Sequence, residues 1–203
     1  MTCELHAIST GKQSLGQFVS IASEIAPFVD YIHIRERSWT ARKHVQAIDK
    51  LVKHHVPLEK IIVNDRLDVA LVAEAAGVQL AGHSVDVARV KEKFPTMRIG
   101  SSVHSVQEAK ESAQAGANYV VYGHIYETNS KKGLQPRGVQ QLRQVVESVT
   151  VPVIAIGGIT PQRVNEVLQS GAKGIAVLSA IFFAEKPEEA AKHLYDSLKG
   201  GVT

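Results

Sequence analysis

Between residues 151 and 181 the chain reads VPVIAIGGITPQRVNEVLQSGAKGIAVLSAI, an order of residue types that few folds accommodate. Val153, Ile154, Ala155 and Ile156 form an unbroken apolar run, as expected of a parallel strand covered on both faces. Gly157 and Gly158 stop it. Thr160 stands at an N-cap position with Pro161 at the first helical position, and Val164, Val167 and Leu168 share one helical face. Gly171 ends the helix, and residues 174–178 make a second apolar strand before Ser179. Residues without side chains at a strand end, followed by exposed helix-type N–H groups, suit a phosphate. Taken alone, the stretch also reads as a tight turn that binds nothing.

The same alternation runs through the chain. Strands are expected at 5–8, 29–34, 60–63, 78–80, 97–100 and 118–122, ahead of the two at 153–156 and 174–178. Between them lie helical patterns: Leu15, Phe18, Val19, Ala22 and Ile25 up to Pro27, then Val45, Ile48, Leu51 and Val52 after Thr40. Val69, Leu71, Val72 and Ala75 follow, with Gly77 as the expected cap, and then a helix over 85–93. Ser105 with Glu108 predicts a capping box, and Leu142, Val145, Val146 and Val149 mark the next helix. A polar loop fills 126–138, and a last helix covers 187–198. AAGVQL, QAGANYVV and QSGAKGIAV each place a glycine at a helix end just before a strand. Eight strand–helix pairs without a linker predict one α/β domain over residues 1–203, a (β/α)8 TIM barrel, with an open doubly wound sheet as the rival.

Composition narrows the function. A net charge of +3 spread along the chain argues for an anionic small ligand and against nucleic acid, and 5% aromatic residues leave no base-stacking platform. The single cysteine, Cys3, excludes an internal disulfide framework and reads as a small buried strand residue. MTCELHAIST has neither a basic n-region nor an apolar h-region, and no apolar run is long enough for a bilayer, so no membrane partner and a cytoplasmic location are expected. A homo-oligomer is compatible with these numbers.

Barrel sites assemble at the carboxyl ends of strands. Those ends offer His33 and Arg35, Asn64 and Asp65, His83, Ser102 and His104, His124, Gly157 and Gly158, and Ser179. His33 and Arg35 are two apart and are expected on one side of their strand. The turns at Gly157-Gly158 and Leu178-Ser179 follow strands seven and eight, the pair of loops that often forms a phosphate cup. His44, His54, His55 and His193 lie in helical stretches and are expected to be solvated, and Lys131-Lys132 reads as loop charge.

IHIRER (32–37), VNDRLDVAL (63–71), AGVQLAG (76–82), IGSSVHS (99–105), TNSKKG (128–133), AIGGITPQRV (155–164) and AVLSAIF (176–182) together resemble the thiamine-phosphate synthase superfamily, in order along nearly the whole chain. That superfamily has two main branches, the synthase and the TenI-type thiazole tautomerases. The resemblance implies a substrate-binding role for Asn64, Ser102, Thr128 and Lys131, and for Asp65, the aspartate after the strand-three asparagine, the place of a synthase Mg2+ ligand. The departures point to the tautomerase. His33 and Arg37 replace the glutamine and lysine of the strand-two motif, Ser84 stands where a second acid would hold the metal, and His124 replaces a proline. A hard divalent ion wants several oxygen ligands, whereas a proton shift needs only a base that returns its proton as an acid.

The expected function is therefore a metal-independent, cofactor-free isomerase with a thiazole phosphate as its small-molecule partner. It would convert the exocyclic-alkene tautomer of carboxythiazole phosphate to the aromatic form. His124 is the expected catalytic residue. Gly157, Gly158, Leu178 and Ser179 would hold the phosphate, and Arg35 with His33 the carboxylate. Two alternatives stay open: a Mg2+-dependent thiamine-phosphate synthase, and a non-catalytic regulatory binder of phosphate ligands.

Overall fold

The computed structural model describes residues 3–131 and 133–200; Met1, Thr2, Lys132 and residues 201–203 lie outside it. Among the described residues, eight parallel strands close into a barrel in sequence order: β1 (Glu4–Ile8), β2 (Tyr31–Ile34), β3 (Ile61–Asn64), β4 (Gly77–Leu80), β5 (Arg98–Val103), β6 (Tyr119–Gly123), β7 (Val153–Ile156) and β8 (Gly174–Val177). β1 pairs with β8, so no sheet edge is left to protect. Helices α1 (Leu15–Ile25), α2 (Ala41–Lys53), α3 (Leu67–Val72), α4 (Val87–Lys93), α5 (Val106–Gln114), α6 (Gly138–Ser148) and α7 (Pro161–Gln169) connect successive strands. The one-turn α8 (Ser179–Phe182) and α9 (Pro187–Gly200) complete the ring.

Strand side chains alternate between two environments because the pleat has a period of two. Leu5 and Ala7, Ile32 and Ile34, Val78 and Leu80, and Val120 and Tyr122 face outward into the main apolar core with the helices. Phe18, Val19, Ala22 and Ile25 supply the inner face of α1. The opposite parity faces into the barrel, where Ile8, Tyr119, Val121, Ile154 and Ala176 form a second, smaller cluster.

Several local expectations need correction. Gly77 opens β4 rather than capping α3, and the chain leaves that helix through Glu74 at φ +52°. The Ser105 hydroxyl accepts from the Glu108 N–H, but the Glu108 carboxylate accepts from His104 N at 2.8 Å, one residue short of a box. The reciprocal box lies instead at Ser14 and Gln17. Helix α4 starts two residues later than the pattern implied. Thr160 caps α7 by position without a side-chain hydrogen bond. His44 is buried, not solvated: its Nδ1 lies 3.0 Å from the Thr40 carbonyl and its ring meets the edge of Trp39. Cys3 is half-buried and precedes β1.

Candidate active site

A cavity of about 940 Å³ opens at the carboxyl end of the barrel, a size that suits a small phosphorylated ligand. Arg35, Asn64, Ser102, His124, Thr128, Lys131, Gly157, Gly158, Leu178 and Ser179 line it, drawn from the carboxyl ends of six strands and the loops that follow them. Basic side chains dominate its rim, with Lys12, Arg37 and Arg66 joining Arg35 against Glu36 and Asp65. Burial and the neighbouring charge of Arg37 lower the pKa of the Arg35 guanidinium, with Glu36 working the other way.

His124 follows β6 and is almost fully buried at the cavity wall. Its backbone is clamped from two sides. Arg137 N donates to the His124 carbonyl at 2.9 Å, and Arg137 Nε to the Gly123 carbonyl at 3.1 Å. Ile125 N and Tyr126 N donate to the carbonyls of Ile156 and Gly157, at 2.9 and 3.0 Å. The His124 Nε2 lies 3.2 Å from the Leu134 carbonyl, a contact that only a ring N–H can make favourable. The neutral ring thus carries its proton on Nε2 and its lone pair on Nδ1.

The glycine pair has a reason beyond any ligand. Gly157 has φ +104°, and a Cβ there would sit 2.3 Å from the His124 Cβ. Gly158 has φ +66°, and a Cβ there would meet the Glu127 carbonyl at 2.5 Å. No side chain fits at either position, and the backbone comes right up to His124 and the cavity. Leu178 and Ser179, at the start of α8, face the same space from the β8 side. Main-chain N–H groups at a helix start lack intrahelical partners, so this corner favours an anion.

The Asp65 carboxylate bonds neither Arg66 nor Arg35. It accepts from Ser84 Oγ at 2.6 Å and faces His83 Nε2 at 3.2 Å, while Arg66 pairs with Asp68. Among the described residues, no group of three or more His, Cys, Asp or Glu side chains is placed to hold a metal ion. This corner offers one carboxylate and one hydroxyl, so a magnesium ion here would need its remaining oxygen ligands from water or a substrate phosphate.

His33 needs correction as a carboxylate partner. It does not line the cavity but lies fully buried one layer below, bonded to His6 and to the side chain of Asn64. Arg35 lies beyond the end of β2, so matched parity did not bring the two together. His83 and His104 do reach the cavity, the latter with Nδ1 3.2 Å from the Gly123 carbonyl. Sequence reasoning missed Gln79, whose amide nitrogen donates to Ser102 Oγ at 3.0 Å, and His6. Both are polar residues at inward positions of otherwise apolar strands, which was the available signal.

The chain matches the family described as Thiamine monophosphate synthase (TMP-TENI) over residues 5–181. It is 32% identical over 191 residues to the thiamine-phosphate synthase of Clostridium acetobutylicum, covering 92% of this chain and 89% of that one. It is 43% identical over 132 residues to the thiamine-phosphate synthase of Pyrococcus furiosus, covering 65% of this chain and 64%, just under two thirds, of that relative's length. Among solved structures, a thiamine phosphate pyrophosphorylase from Pyrococcus furiosus superimposes with a TM-score of 0.84 at 30% identity, covering 99% of this chain and 98% of that one.

Proposed function

This chain belongs to the thiamine monophosphate synthase family, and from that premise we propose that it is an enzyme of thiamine biosynthesis whose cavity runs the tautomerase reaction of the family's TenI branch. The observation that carries this reading is His124 at the cavity wall, with Nε2 held by the Leu134 carbonyl and Nδ1 left as the basic nitrogen. In this reading the phosphate of the exocyclic-alkene thiazole sits against Gly157, Gly158, Leu178 and Ser179, and Arg35 meets the carboxylate. Nδ1 removes the ring C2 proton and returns it to the exocyclic carbon. The π electrons move into the ring, which becomes aromatic, and no proton is gained or lost overall. One imidazole can serve as base and then as acid, because the proton it takes in the first step is the one it gives back in the second.

The names of the relatives favour a second reading, thiamine-phosphate synthase, which would join a pyrimidine pyrophosphate to the thiazole phosphate. Against it stands the Asp65–Ser84 corner, which offers a magnesium ion one carboxylate already bonded to a hydroxyl. The two readings separate in one experiment. The purified chain is given the exocyclic-alkene thiazole phosphate, and in parallel the pyrimidine pyrophosphate plus thiazole phosphate with and without Mg2+. Aromatisation abolished by His124→Gln supports the tautomerase. Magnesium-dependent release of pyrophosphate with formation of the joined product would establish the synthase in its place.

A further inference from the structure

Below the cavity, side chains from four strands form a hydrogen-bonded column that the proposed reaction does not use. At the floor of the barrel, Arg98 Nη2 donates to both oxygens of Glu4, at 3.0 and 2.9 Å. Glu4 Oε2 lies 3.0 Å from His6 Nε2. His6 Nδ1 lies 2.9 Å from His33 Nε2, and His33 Nδ1 lies 3.2 Å from Asn64 Oδ1. Both imidazoles are fully buried, and Asn64 lines the cavity above them.

A neutral imidazole has one donor nitrogen and one acceptor nitrogen. A chain of them is bonded throughout in only one sense once an end is fixed. Glu4 fixes this one. Its carboxylate, bonded twice by Arg98, only accepts, so the His6 proton sits on Nε2 and the lone pair on Nδ1. His33 Nε2 must then donate to His6, which leaves the His33 lone pair on Nδ1. A carbonyl oxygen opposite that lone pair would set acceptor against acceptor. A half-turn of the Asn64 amide removes the conflict without moving any other group, because its two ends have nearly the same shape. The NH2 group then points down to His33, and the carbonyl oxygen faces the cavity.

We infer that Glu4, His6 and His33 form an orientation relay that fixes Asn64 as a hydrogen-bond acceptor toward the cavity, selecting at that point for a ligand atom that carries an N–H or O–H. Asn64 is the only member at the cavity; the other three are positioning residues. Two further observations agree. Burial lowers the pKa of both imidazoles, and in His33 the neighbouring His6 lowers it further, so the neutral forms that the relay needs are favoured. For Glu4, burial acts to raise the carboxyl pKa but is outweighed by its bonds to His6 and Arg98, which favour the ionised form that anchors the chain. The relay concerns the proton order of the barrel interior, and so stands or falls separately from the reaction proposed above.

The test is the long-range 15N–1H correlation spectrum of the histidine rings in the full chain near neutral pH. Protonation on Nε2 in both His6 and His33, with both Nδ1 atoms bare, is the expected result. Protonation of His33 on Nδ1 with a bare Nε2 would overturn the relay. Asn64→Asp then reverses the order, because a carboxylate at this position only accepts. His33 Nδ1 gains the proton, its Nε2 becomes an acceptor, and His6 Nδ1 must donate. One additional proton is then held between His6 and Glu4. A change in the His6 ring signals, two links from the substitution, supports the relay. A folded Asn64→Asp protein whose His6 signals do not move overturns it, as a merely structural contact would confine the change to His33. If that variant does not fold, the wild-type tautomers alone decide.

Discussion

The interior of the barrel is two different materials. Along β1 to β5 the inward residues are mostly polar: Glu4 and His6, His33, Asn64, Gln79, and Arg98 with Ser102, with Ile62 among them. Along β6 to β8 they are apolar: Val121, Ile154 and Ala176, flanked by Ile156 and Leu178 and reached by Ile8 from β1. The apolar half has only to fill volume. The polar half has to match donors to acceptors, and the match is incomplete: Gln79 Oε1 and Arg98 Nε are buried with no partner among the described residues, as is the hydroxyl of Tyr119, whose ring belongs to the apolar cluster on β6. Yet His124 and the loops after β7 and β8 stand over the apolar half. A dry floor leaves few groups to compete with a ligand for His124 and strengthens the electrostatics of the anion corner. On this reading one half of the barrel insulates the chemistry and the other aims a single side chain at the ligand.

The largest expected effect tests that division directly. His124→Gln keeps a donor for the Leu134 carbonyl and removes the base, so kcat for aromatisation should fall by about 10²- to 10⁴-fold, with the melting temperature little changed. Asn64→Ala, in the polar half, should mainly raise KM, by about tenfold for one lost hydrogen bond. Steady-state kinetics on both variants checks this; the opposite split would move the chemistry to the polar side. A loss at the lower end of the His124→Gln range is expected from Gly157→Ala. The added methyl would lie 2.3 Å from the His124 Cβ at a φ of +104°, so His124 must shift. Misplacement of a catalytic group by about 1 Å costs on the order of 10²-fold, and activity should fall well before the fold is lost.

Stability separates the halves in another way. Ile154→Ala opens a hole in the apolar cluster and should cost about 2–5 kcal/mol in urea unfolding. Gly100→Ala tests the polar half by addition. Its Cβ would fall 2.2 Å from Gln79 Oε1 and 2.3 Å from Tyr119 Cζ, two buried side chains without room to withdraw. Overpacking of this kind costs about 1–3 kcal/mol. A fully stable Gly100→Ala protein would mean that the polar half is loosely packed, and that its orphaned atoms have space to move.

Much of this was legible in the chain. Most strands carry apolar residues at their outward positions and are bounded by glycine, proline or a polar pair, so the eightfold alternation shows through. The cavity mouth follows from it, because strand ends are located once strands are. What stayed hidden depends on where a side chain points after the barrel closes. His33 and Arg35 share parity, but only His33 is inside the strand, and the stagger of a closed sheet decides which layer it enters. His6 sits in ELHAI with nothing to show that its ring would meet one from β2, 27 residues away. Asp65 had charged neighbours in sequence, yet its partners His83 and Ser84 come from the loop after β4. The identity of the reaction was harder still, since the residues at the mouth and the names of the relatives favour different branches of one family.

The smallest effect concerns acid, and only the polar half should show it. Burial holds His6 and His33 below the ordinary histidine value in the folded barrel. In the unfolded chain both titrate near about pH 6.5. Just below that pH the unfolded state binds more protons than the folded one, so stability falls as pH drops through this window and is flat above it. Each imidazole contributes a slope of at most about 1.4 kcal/mol per pH unit. His44 is also lowered, mainly by burial, and adds to the slope from outside the barrel. Glu4, with its carboxyl below the usual value, adds a separate loss at lower pH as it becomes protonated. Urea unfolding at a series of pH values should then show two behaviours. Ile154→Ala shifts the whole curve down without changing its slope. His33→Gln removes one proton's share of the slope below about pH 6.5. Full slope in His33→Gln would mean that this ring is not held neutral in the folded barrel, and the contrast between the halves would lose its electrostatic basis.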